Sequence, residues 1–209
     1  MKIRKIIPLI LCAAMLFTTG CSLGGKKAST TSAGGFCSMK EKLEGVKTAD
    51  ETYKIVQAAL DEGKSLDLAG IEIEISKPLI LYNQDIYGGK ITYTGNDGQP
   101  VIKMAGKCVI DKVSIVNTCE DNNCGEGKYV GIWLSNDKGT VTNGSAIRSV
   151  RFYSCGTLVY APKDVESAAN GLVIENLRAE GWWFRGIDFQ SKNCTNNSFY
   201  NLYINRNDF

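Results

Sequence analysis

The sequence predicts an all-β chain, a parallel β-helix (a solenoid) with an N-terminal capping helix. Three observations carry that expectation. A six-residue apolar motif recurs five times, a second short strand follows four of its copies, and one amphipathic helix precedes the first copy.

The chain begins with a segment outside the fold. Residues 1–20, "MKIRKIIPLILCAAMLFTTG", join a basic start (Lys2, Arg4, Lys5) to an apolar run and then small residues. That is the pattern of a secretory signal peptide, too short and wrongly flanked for a spanning helix. It closes on "LFTTGCS", which resembles a bacterial lipobox and marks Cys21 as the lipidated first residue of the mature chain. Thr18 departs from the pattern, which usually carries Leu there; an ordinary secretory signal is the alternative. The implied location is outside the cell, on a lipid anchor in a bacterial membrane. Residues 21–47 read as the lipidated cysteine and a Gly/Ser/Thr-rich flexible tether, and 48–209 as one β-helix domain.

Charge and cysteines bound the partners. Three of the 24 basic residues lie in the signal and none of the 22 acids, so the mature chain carries 21 against 22, net −1. No global basic field remains, and nucleic acid is excluded as an expected partner. Of eight cysteines, Cys12 leaves with the signal and Cys21 takes lipid. Cys37, Cys108, Cys119, Cys124, Cys155 and Cys194 remain, an exported set with fifteen possible pairings. Cys119 and Cys124 in "CEDNNC" are spaced to staple a local loop. A zinc site is not expected, because there is no Cys-x-x-Cys pair and no histidine.

The helix comes next. In "TADETYKIVQAALDEG", Thr48 and Glu51 form a capping-box pattern, and Ala49, Tyr53, Val56 and Leu60 share one face. Gly63 ends the segment. Such a helix would cover the open end of a solenoid.

The repeats follow as "IYGGKI" at Ile86, "IDKVSI" at Ile110, "IRSVRF" at Ile147, "IENLRA" at Ile174 and "FYNLYI" at Phe199. Their starts lie 24, 37, 27 and 25 residues apart, the long interval holding loop-like insertions. Second strands are "VIKM" at 101, "GIWL" at 131, "LVY" at 158 and "GIDF" at 186. One unit alone cannot bury its apolar side chains; stacking at about 4.8 Å pairs it with its neighbours. "GLVIENLRAEGWWFRGIDFQ" is therefore one rung bent at residues 180–186, and not a hairpin. Asn176 and Asn201 fall in one register and suit an Asn stack at a turn.

The segment "IVQAALDEGKSLDLAGIEIEISKPLIL" resembles the N-terminal signature of the pectate lyase superfamily, over residues 48–95 directly and beyond them only through rung spacing. The resemblance implies a right-handed parallel β-helix, a fold shared by polysaccharide-cleaving enzymes and phage tailspikes. It specifies a fold better than a reaction.

Stacked rungs turn sequence spacing into columns. The fifth motif position gives Lys90, Ser114, Arg151, Arg178 and Tyr203, and the second gives Tyr87, Asp111, Arg148, Glu175 and Tyr200. Adjacent arginines repel, so an anionic ligand such as a uronic-acid polysaccharide would relieve Arg151 and Arg178. Alternatively the two splay into water or pair with Glu175 and Glu180. The second column reads as an ion-pair ladder. On the second strand the outward set is Lys103, Trp133, Val159 and Asp188, and Trp133 with Trp182 and Trp183 offers sugar-stacking surface.

Candidate catalytic residues are Asp188 and Glu180, a carboxylate pair for glycoside hydrolysis, and Arg178 as the base of a lyase with Arg151 binding the substrate carboxylate. Lys90, Tyr203, Trp133, Trp182 and Lys103 join Arg151 as substrate-binding candidates. The polygalacturonase motif set is absent, and without histidine it cannot be completed. Calcium is a possible cofactor, with Glu120 and Asp121 as oxygen donors or simply an exposed acidic loop; no other metal site is read. The expected function is a surface-anchored protein that binds and cleaves polysaccharide. The alternatives are a non-catalytic glycan-binding or adhesive β-helix and a tailspike-like component. The chain stops one strand into a new rung at "FYNLYINRNDF". That implies a domain incomplete at its C-terminus or a homo-oligomer closing the end.

Overall fold

A computed structural model describes residues 35–118, 124–181 and 185–205. Residues 1–34, which include the expected signal segment, Cys21 and the first part of the expected tether, lie outside the described residues, as do 119–123, 182–184 and 206–209. The described chain starts with β1 (Phe36–Ser38), the one-turn α1 (Met39–Lys42) and α2 (Ala49–Asp61). A tether was expected over residues 21–47, yet Phe36–Ser38 pair in parallel with a later strand, bringing Cys37 into the core.

From there the chain repeats circuits of three strands. The first is β2 (Ser65–Asp67), β3 (Glu72–Ile75) and β4 (Leu79–Tyr82), and the second β5 (Ile86–Tyr87), β6 (Lys90–Tyr93) and β7 (Ile102–Ala105). The third is β8 (Val109–Asp111), β9 (Ser114–Val116) and β10 (Val130–Trp133); the fourth is β11 (Ala146–Arg148), β12 (Arg151–Tyr153) and β13 (Thr157–Ala161). The fifth is β14 (Val173–Glu175), β15 (Arg178–Glu180) and β16 (Arg185–Phe189), followed by β17 (Ser198–Tyr200) and β18 (Tyr203–Asn205).

Each strand pairs with its counterpart one circuit away, always in parallel, giving three sheets. The seven-stranded sheet runs β1-β2-β5-β8-β11-β14-β17, the six-stranded β3-β6-β9-β12-β15-β18 and the five-stranded β4-β7-β10-β13-β16.

The six-residue motif is two short strands and not one. Its third position bends the backbone, with positive φ at Gly88 (67°), Lys112 (57°), Ser149 (51°), Asn176 (53°) and Asn201 (49°). A left-handed residue redirects the chain in one step, and Asn tolerates it better than most side chains do. The expected Asn stack is present: Asn201 Nδ2 donates to Asn176 Oδ1 at 3.1 Å.

Between the sheets lies one core. Ile86, Ile110, Ile147 and Ile174 stack in register without exposure, as do Ile91, Ile115, Phe152 and Ala179. Burying each large side chain contributes about 1.5–3 kcal/mol. In the last circuit, Ile204 packs against this core while Leu202 is exposed.

The helix packs on β2, β3 and β4. Thr48 Oγ1 accepts from Glu51 N–H at 3.2 Å, and the Thr48 hydroxyl donates to Glu51 Oε2 at 2.9 Å, a variant of the expected box. Val56, Ala59 and Leu60 are buried beneath it. Gln57 finishes the edge of β4: its Oε1 accepts from Ile80 N–H at 2.9 Å and its Nε2 donates to Ile80 O at 3.2 Å. A side-chain amide thus supplies both partners that a neighbouring strand would give.

Candidate functional site

The outer face of the six-stranded sheet carries two adjoining depressions. Side chains alternate along each strand, so Glu72 and Glu74, Lys90 and Thr92, Ser114 and Val116, and Arg151 and Tyr153 point outward. One cavity of about 630 Å³ is lined by Gly70, Glu72, Gly89, Lys90, Ser114 and others, including Tyr153. A second, of about 500 Å³, shares Glu72, Lys90 and Val116 with it and reaches the α1–α2 connection.

The expected column runs across this face. Register pairs Glu72 with Lys90, Lys90 with Ser114, Ser114 with Arg151, Arg151 with Arg178 and Arg178 with Tyr203. Lys90 Nζ lies 3.2 Å from Glu72 Oε2. Arg178 Nε lies 2.9 Å from Glu180 Oε1, with its guanidinium 5.5 Å from the Tyr203 ring centroid. Arg151 is exposed and has no ion pair among the described residues. The repulsion between the two arginines is thus relieved at Arg178, by its own neighbour two residues on, whereas Arg151 meets no carboxylate among the described residues.

The ladder reading of the second column has its ion pair. Arg148 Nε sits 2.9 Å from Glu175 Oε1, close enough for charge attraction though not aligned as a hydrogen bond. Asp111 precedes Arg148 in register.

Trp133, Lys103 and Asp188 stand on a different sheet, the five-stranded one, away from the arginines. Their column needs one correction. Val159 pairs with Ile132 and Ile187 and is fully buried, and the residue in register with Trp133 and Asp188 is Tyr160. Lys103, Trp133, Tyr160 and Asp188 form the row. Trp133 meets Tyr160 edge-on with ring centroids 4.8 Å apart, and its Nε1 donates to Ser135 Oγ at 3.0 Å.

A β-carbon at Gly127 would lie 3.4 Å from the Trp133 ring and 3.5 Å from Tyr160, so the loop at Gly127 packs against both aromatics. Tyr160 is 3% exposed, and burial, then the Glu126 and Asp188 carboxylates, raises its phenol above the ordinary value. Asp188 Oδ2 accepts from Arg185 Nη1 and, at 3.0 Å, from Gln190 Nε2. This carboxylate is 13% exposed, and its bond to Arg185 holds that guanidinium more firmly protonated.

Asp188 and Glu180 therefore lie on separate sheets, each held by an arginine. Trp182, Glu120 and Asp121 fall outside the described residues. Among the described residues no group of three His, Cys, Asp or Glu side chains is placed to hold a metal ion. Cys124 is disulfide-bonded, whereas Cys37, Cys108, Cys155 and Cys194 are free thiols.

Three groove residues are missing from the sequence reading. Tyr153 lies two positions after Arg151, so strand alternation alone puts it on the same face. Glu72 and Glu74 carry the same signal in "IEIEI". No protein-family model, curated protein or solved structure matches the chain.

Proposed function

We propose that the chain is a right-handed parallel β-helix, held outside a bacterial membrane through Cys21, that binds acidic polysaccharide on its six-stranded face. Three parallel sheets visited in rotation support the fold, and parallel crossovers are nearly always right-handed. The observation that carries the binding reading is Arg151 beside Arg178, with Arg151 in no ion pair among the described residues and both leading into a groove. Tyr153 and Tyr203 supply flat surface for sugar rings along the same path.

Binding is favoured over cleavage by the separation of Asp188 from Glu180. A hydrolase needs two carboxylates flanking one bond, and here each faces outward from its own sheet. Arg178 as a lyase base is likewise already engaged by Glu180 and Tyr203.

The test is affinity for polygalacturonate and for a neutral glucan. Arg151→Ala is expected to weaken acidic binding about fivefold, the scale of roughly 1 kcal/mol for an exposed charge. Neutral binding should stay the same, and salt should weaken the wild type alike. Equal acidic affinity in the variant at low salt overturns the reading. Release of unsaturated uronates, followed by absorbance, would establish a lyase instead. Cys21→Ala should free the protein from membranes, and retention there would remove the anchor.

A further inference from the structure

We infer that the groove receives the end of an acidic glycan chain and not a stretch along its length; this rests on the glycan-binding reading above. The two cavities form one depression crossing β3, β6, β9 and β12. At the β3 end it is walled by Leu43, Val46 and Lys47 of the α1–α2 connection and by Ala49 and Thr52 of α2. At the other end the column continues over Arg151, Arg178 and Tyr203, all exposed. A chain laid along the column meets a barrier on one side and, among the described residues, open surface on the other.

The blind end also offers hydrogen bonds. β3 is the edge strand of its sheet, and Ile71 O and Ile75 O accept from Lys90 and Thr94 N–H at 2.9 Å each. In a parallel ladder alternate residues bond to one side. Glu72 and Glu74 thus turn their main-chain N–H and C=O to the free edge, where no partner meets them among the described residues. Lys47 and Lys90 balance Glu72 and Glu74 around the same cavity. Donors and acceptors without net charge suit the hydroxyls of a terminal sugar, while the arginines further along suit the carboxylates of the sugars behind it. A polymer running through would collide with the wall formed by Leu43, Val46 and Ala49.

Calorimetric titration of the full chain with oligogalacturonates of short and long defined lengths tests this. The expected result is one protein per glycan chain at every length. Affinity should stop rising once the glycan spans β3 to β18, about 24 Å at five strand spacings. Val46→Trp, on the half-buried wall, should fill the blind end and weaken binding roughly tenfold with an unchanged circular dichroism spectrum. Several proteins per chain, increasing with length, would overturn chain-end recognition and leave the binding reading standing. So would a one-to-one complex indifferent to Val46→Trp. No binding at any length would remove both.

Discussion

The Cys155 thiol is enclosed by the core, and burial pushes it up to about 12, as it pushes Cys108 to about 11. Both thiols stay neutral in the fold, whereas the unfolded chain releases their protons near the ordinary value of 9.0. The sign follows: this contribution is whole below 9.0 and is lost as pH rises toward the folded values. The urea midpoint should therefore fall on the alkaline side, and fall less in Cys155→Ala; an identical alkaline decline in that variant would refute the assignment. Reactivity gives an independent reading. Cys194 is a half-buried free thiol and should react first with an aromatic disulfide reagent, Cys108 and Cys155 only on unfolding.

At the scale of the element, α2 closes the β4 edge with a single side chain. Gln57→Ala would leave Ile80 N–H and C=O without partners and should cost about 1–3 kcal/mol in urea unfolding. Gln57→Glu keeps the acceptor and loses the donor, so it should fall between. Equal stability of all three would mean that water serves that edge as well as the amide does. The helix was legible because Thr48, Glu51 and Gly63 each mark a position by chemistry. The corner inside the six-residue motif was not. Gly88, Lys112, Ser149, Asn176 and Asn201 share a backbone conformation and not a residue type, so the third strand of each circuit was hidden. That omission bears on the site: with the bend at residues 180–186 taken as one corner, Asp188 and Glu180 pair as carboxylates, whereas they stand on separate sheets. The slip at Val159 has a different origin. "TLVYA" is buried throughout, and an unbroken apolar run carries no alternation from which to choose a face.

Across the whole molecule, one apolar cluster extends from Cys37 to Ala179, so circuits share a core without subdivision. Ile147→Ala, in the middle, should cost 2–5 kcal/mol, about the usual range for a cavity of that kind. Far-ultraviolet dichroism and tryptophan fluorescence should report the same shifted midpoint. Separate transitions would show that the circuits melt independently. The arrangement of the three sheets also decides how the protein bears force. Bonds between circuits point from one circuit to the next, and among the described residues the N-terminal edge is β1, whose three residues pair with β2. A pull on the N-terminus thus loads few bonds at a time, and the molecule should peel from that end in small steps instead of rupturing at once. Single-molecule extension from the N-terminus should show a low first step as β1 leaves β2, with the remaining strands still paired.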